Sequence, residues 1–137
     1  MEAIYTNGPA IGELYDDGEQ YVVGSTYSDS SSVPGHVSCH AVSDINNDGL
    51  PDLHWEKDSL IFYSPRSPLI ADLDNDDNNE IIVPSAKGKV FVFNADGSIR
   101  ATISASISYR QLAVANIVPD TDEKQLIIPN AKKLQVY

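Results

Sequence analysis

One cysteine, Cys39, stands alone in 137 residues. No disulfide can form within the chain, so a small secreted domain of this kind would lean on metal, on its core or on neighbours. Basic residues are scarce: 9 Lys and Arg face 20 Asp and Glu, for a net charge of −11. Phosphate backbones and anionic membrane surfaces are held by Lys and Arg, so neither nucleic acid nor such a surface is an expected partner. No apolar run approaches the roughly 18 residues that would span a bilayer, so no membrane insertion is expected. The opening Met1-Glu2-Ala3-Ile4-Tyr5 has neither a basic nor an apolar signal region. The protein stays inside the cell, or its signal has been removed, or the chain is a segment of something larger. No Asn-x-Ser/Thr sequon is present, and the serine-rich stretch 28–32 reads as a plain loop.

Helical periodicity is missing too. Instead, short runs rich in Val, Ile, Tyr and Phe alternate with clusters of Gly, Pro, Asn and Asp. Strands are expected over 21–25, 37–43, 52–56, 60–63 and 68–71. Further strands are expected over 81–85, 90–94, 99–104, 111–115, 126–129 and 134–137. Residues 86–89 and 94–97 look like tight hairpin turns, with Gly88 and Gly97 supplying positive φ. The length suits one domain, and many short strands at regular spacing mean an all-β fold.

The acids are clustered. Two nine-residue loops, Asp44 to Asp52 and Asp72 to Glu80, hold eight of the 20 acids. Like charges so packed repel unless a counter-ion sits among them. Two divalent ions would bring the formal charge from −11 to −7. Calcium takes six to eight oxygens, and alternate positions of a short loop can aim them at one point. In the first loop the donors are Asp44, Asn46, Asp48, the Leu50 carbonyl and Asp52, with Gly49 at the sharp turn. In the second they are Asp72, Asp74, Asp76, the Asn78 carbonyl and Glu80, with Asp77 in the place of Gly49. An EF-hand would need a Glu at loop position 12 and flanking helices; Trp55 and Val83 stand there, and strand-like residues follow.

The loops belong to a repeat. An apolar strand leads into each loop, and an apolar strand leaves it. The stretch 112–129 has the same frame, but Asn116, Val118 and Lys124 fall where acids are expected. A weaker echo runs from Ile11 through Tyr15-Asp16-Asp17-Gly18 to Ser25. The approximate repeats are 11–43, 44–71, 72–115 and 116–137, with uneven spacing: 28 residues from Asp44 to Asp72, then 44 to Asn116.

Strand, then D-x-[DN]-x-D-G-x-x-[DE], then strand resembles the FG-GAP/VCBS repeats of calcium-binding β-propellers. Such repeats occur in integrin α-subunits, in secreted bacterial and archaeal proteins and in rhamnogalacturonan lyases. The likeness spans about residues 10–137 and is specific at 44–53 and 72–83. Residues 89–97 also resemble the blade strands of quinoprotein-type propellers. The resemblance implies about three blades of short antiparallel strands, an incomplete propeller. It implies that each loop links the outer strand of one blade to the inner strand of the next, where calcium is structural. Propellers close with about four to eight blades, so self-association or the remainder of a larger propeller is expected. The implied role is non-catalytic and extracellular or cell-surface: adhesion, surface or filament assembly, or recognition of a glycan or protein. The alternative is part of a secreted carbohydrate-active enzyme, such as a polysaccharide lyase. That reading asks for basic residues near the calcium; the nearest in sequence are Lys57 and Arg66.

Other residues carry weaker patterns. His36, Cys39 and His40 could bind a transition metal, but on a strand Cys39 and His40 point to opposite faces. Trp55 and the tyrosines could stack on sugar, although alternating aromatics such as Phe91 and Phe93 are more often core. No nucleophile elbow, isolated carboxylate pair or phosphate-binding glycine loop is present.

Overall fold

A computed structural model describes residues 4–28, 35–61, 66–85, 88–105, 111–119, 122–129 and 134–136. Among them the chain is all strand, turn and loop, and no helix is long and apolar enough to cross a membrane. Three antiparallel sheets follow one another along the sequence. The first contains β1 (Ile4–Thr6), β2 (Ala10–Gly12), β3 (Tyr21–Ser28), β4 (Gly35–Ala41) and β5 (Asp52–Ile61). There β1 and β2 lie end to end along one side of β3, and β4 and β5 follow on the other. The second is the meander β6 (Leu69–Ala71), β7 (Glu80–Ser85), β8 (Lys89–Phe93) and β9 (Ile99–Ser104). The third is β10 (Ala113–Ala115), β11 (Gln125–Pro129) and β12 (Leu134–Val136).

The second sheet is the middle layer. Ile81, Val83, Phe91 and Phe93 share one core cluster with Leu14, Tyr21, Val23, Val37, Cys39 and Trp55 of the first sheet. Ile82, Val90 and Val92 share another with Leu112, Leu126 and Ile128 of the third. Successive side chains on a strand point to opposite faces, so a strand buried on both reads as an unbroken apolar run. That is why 81–83 and 90–93 show no polar alternation. Each such side chain, fully buried, contributes roughly 1.5–3 kcal/mol. The outer sheets do alternate: on β4, buried Val37 and Cys39 are flanked by half-buried His36, Ser38 and His40.

Gly97 locks the first two sheets together. It turns the β8–β9 hairpin at φ +81°, and its N–H donates to Asn94 O at 2.9 Å. A Cβ there would stand 2.7 Å from the Trp55 ring, so only glycine lets the indole lie against the turn. Trp55 is buried, and its Nε1–H donates to Ala95 O at 2.9 Å. It is a core residue, not a platform for sugar. The expected turn at 86–89 falls partly outside the described residues, as do 62–63 and most of the serine-rich stretch.

Several expectations need correction. Strands 52–56 and 60–63 are one ten-residue strand through Ile61. The three-residue strands β1 and β2 carry too little pattern to read from sequence. The sheets do not divide the chain at the repeat boundaries: the stretch 44–71 supplies the last strand of the first sheet and the first strand of the second. Both acidic loops are hairpin connections inside a sheet, β4 to β5 and β6 to β7, rather than links between sheets. The sequence repeat follows loop chemistry, and that chemistry sits at two different corners of the meander.

Backbone register reveals the deeper repeat. Gly12 pairs with Tyr21, Ala71 with Glu80 and Ala115 with Gln125. The hairpins β2–β3, β6–β7 and β10–β11 are therefore equivalent. Loop 13–20, only a faint echo in sequence, is the structural counterpart of loop 72–79. The two loops touch: the Asn79 N–H donates to Leu14 O and its Nδ2 to Glu13 O, each at 2.9 Å. Loop 44–52 is tied in through Val42 N–H to Gln20 O, at 2.8 Å, and Ser43 N–H to a Glu19 carboxylate oxygen, at 2.9 Å.

A candidate metal centre

The two acidic loops share one backbone. Loop positions 4 and 6 have positive φ in both: Asn47 (59°) and Gly49 (84°), Asn75 (58°) and Asp77 (67°). Asn and Asp tolerate this region better than most side chains. Position 9 reaches back to cap position 2: the Ile45 N–H donates to Asp52 Oδ2 at 2.7 Å, and the Leu73 N–H to Glu80 Oε2 at 2.9 Å. The third sheet keeps the cap without the charge, since the Ile117 N–H donates to Gln125 Oε1 at 2.8 Å. That loop is one residue longer, so Gln125 rather than Lys124 is the counterpart of Glu80.

Other carboxylates turn inward on the loop backbone. Asp44 accepts from the N–H groups of Asp48, at 3.0 Å, and Gly49, at 2.8 Å. Asn46 accepts from Asp48 N–H, and Asp48 from Leu50 N–H, both at 2.9 Å. In the second loop Asp72 accepts from Asp74 N–H at 3.2 Å and Asn75 N–H at 2.7 Å. Asp76 accepts from Asn78 N–H at 2.9 Å.

The surroundings differ sharply. Carboxylate oxygens of Asp72, Asp74 and Glu80 all lie within 4.8 Å of one another. Ligands on opposite sides of an ion with 2.3–2.6 Å bonds stand about 5 Å apart, so this group of three fits a hard cation. These acids could hold a metal ion. Asp76 is outside the group, and Asn78 beside it is half-buried. Among the described residues Asp44, Asp48 and Asp52 form no such group; Leu50 and Ile45 of that loop are 64% and 79% exposed.

Glu80 is the anchor. It is 2% exposed, a carboxylate at the buried start of β7. Burial raises its pKa above the ordinary carboxylate value; the Leu73 N–H works against this, Asp74 adds to it, and Arg100 opposes it. Arg100 was not expected from sequence, because it lies 20 residues beyond Glu80 on β9. Its guanidinium pairs with Asp74 through Nη2 and lies 3.6 Å from Glu80 Oε1 through Nη1. A β-bulge aims it there. Val92 pairs with Ala101 and Phe93 with Ile99, leaving Arg100 as the extra residue. The first sheet has the same bulge: Cys39 pairs with Trp55 and His40 with Leu53, leaving His54 over. There His54 Nε2 lies 3.3 Å from Tyr15 Oη, and its ring packs on Tyr21 with centroids 5.1 Å apart. Tyr15 and Tyr21 thus fill the places of Asp74 and Glu80.

The remaining candidates do not assemble. Cys39 is fully buried, and burial pushes its thiol up to about 12. His36 faces the other way and pairs with Asp58 at 2.7 Å.

Compared with known proteins, no family model matches this chain, and no curated protein is significantly similar to it.

Proposed function

We propose that the chain is a calcium-braced segment of β-propeller-like blades, non-catalytic and extracellular or cell-surface, serving adhesion, assembly or recognition of a glycan or protein. The observation that carries this reading is the convergence of Asp72, Asp74 and Glu80 around a buried carboxylate. Those three hold the first calcium, with carbonyl or water oxygens completing its shell. The second calcium takes Asp44, Asn46, Asp48, the Leu50 carbonyl and Asp52, once their side chains turn from the backbone to the ion. Bound at Glu80, calcium stiffens the loop that Asn79 fastens to the first sheet. Its work is therefore structural.

The partner is a further sheet, from a second copy or from more of the same polypeptide. Leu14 and Leu73 hold equivalent places in their loops, and each packs into the core shared with the next sheet. Their counterpart in the third sheet, Ile117, is 47% exposed. Val23 and Ile82 are fully buried, whereas their counterpart Ile127 is only half-buried. A surface built like two covered ones supports the reading of an incomplete stack. Light scattering with calcium and with chelator tests it: a monodisperse, folded monomer under both conditions counts against a second copy.

Arg100 favours one second reading, a fragment of a polysaccharide lyase, because it sets a basic group beside the acids. Incubation with acidic and neutral polysaccharides decides between them: new reducing ends mean an enzyme, and none means a brace.

A further inference from the structure

We propose that Arg100 is a resident counter-ion of the metal site, which holds Asp74 and Glu80 together when no metal is bound and must be displaced by the incoming ion. This rests on the metal reading of loop 72–80. The guanidinium reaches both carboxylates from one side chain, a task for which its planar fork is suited and a lysine point charge is not. Asp74 and Glu80 are also two of the three acids placed to hold the metal. The same oxygens therefore serve two cations in turn. Arg100 is put there by a bulge, and the matching bulge of the first sheet carries His54 beside uncharged Tyr15 and Tyr21. A strong cation is found where acids hold these two places, and histidine where tyrosines hold them.

Two consequences follow. The site is assembled before metal arrives, because Arg100 already neutralises a buried carboxylate that would otherwise be costly. Affinity is held down, because binding exchanges one cation for another. When calcium binds, the guanidinium swings from Asp74 into solvent; Arg100 is 37% exposed already.

The test is a calorimetric calcium titration of the full chain and its R100Q and R100K variants, each also melted in chelator. Removing a unit charge a few Å from a divalent ion should tighten binding by about tenfold or more in R100Q. In chelator R100Q should melt below wild type, and calcium should close the gap. R100K keeps the charge but loses the fork, so it should fall between the two on both measurements. Equal or weaker calcium binding by R100Q overturns the proposal while leaving the metal site standing. If R100Q does not fold in chelator, R100K decides, and an affinity equal to wild type overturns the proposal. No binding by wild type removes the metal reading itself, and this inference with it.

Discussion

Loops 44–52 and 72–80 have the same length, the same left-handed positions and the same cap from position 9 to position 2. Only one gathers its carboxylates into a group of three. The difference lies outside the loops. Glu80 begins a strand of the middle sheet and is covered on both sides, whereas Asp52 begins the edge strand β5 and is half-exposed. Spacing determines the loop backbone, and burial of the anchor determines whether its side chains converge. A short loop cannot bring its own low-dielectric wall.

The strongest way to break this comparison is to remove each anchor. Glu80→Ala should cost about 3 kcal/mol, since it strands the Leu73 N–H and Arg100 beside a buried site. Asp52→Ala removes the same cap at an exposed loop and should cost only about 1 kcal/mol. Chemical denaturation in chelator measures both; equal losses would mean that burial of the anchor makes no difference. Glu80→Gln sharpens the point. Gln125 shows that an amide can make the cap, so this variant should fold well in chelator yet gain no stability from calcium at that loop.

The proportion legible in sequence follows the same division. Strands 21–25, 37–43, 81–85, 90–94 and 99–104 were readable because apolar runs and turn residues bound them. The left-handed turn at Gly49 and Asp77 was readable from spacing alone. Arg100 was not, because a bulge on β9 that faces a loop two strands away leaves no local pattern. Loop 13–20 was nearly invisible, since Tyr15 and Tyr21 replace the acids that mark its counterpart. Its equivalence rests on strand register, which only the fold supplies.

Smaller effects follow from the titration of Glu80. Its folded-state value is raised above the ordinary 4.5, so the neutral form is favoured in the fold. That contribution is full below pH 4.5 and is lost as pH rises through the folded value. In chelator, wild type should therefore lose stability relative to Glu80→Gln above that pH. In calcium the sign should reverse, because the metal holds the carboxylate. Melting curves between pH 4 and 7 give the difference; the same slope in both media would mean that no metal meets Glu80. The smallest effect is at position 6. Gly49→Asp should cost about 0.5–1 kcal/mol, and Asp77→Gly should be neutral or gain about 0.5 kcal/mol, as left-handed backbone favours glycine. Denaturant midpoints in chelator would show whether the two loops rank this way.

The central claim is that calcium binds at Glu80 and braces the stack. Its most direct measurement is calorimetric titration of chelator-stripped protein with calcium, run beside Glu80→Gln and Asp52→Asn. The account predicts two sites in the wild type, with one lost in each variant and the larger fall in melting temperature on chelation belonging to the Glu80 site. No heat of binding, or a melting temperature that chelator leaves unchanged, would contradict it.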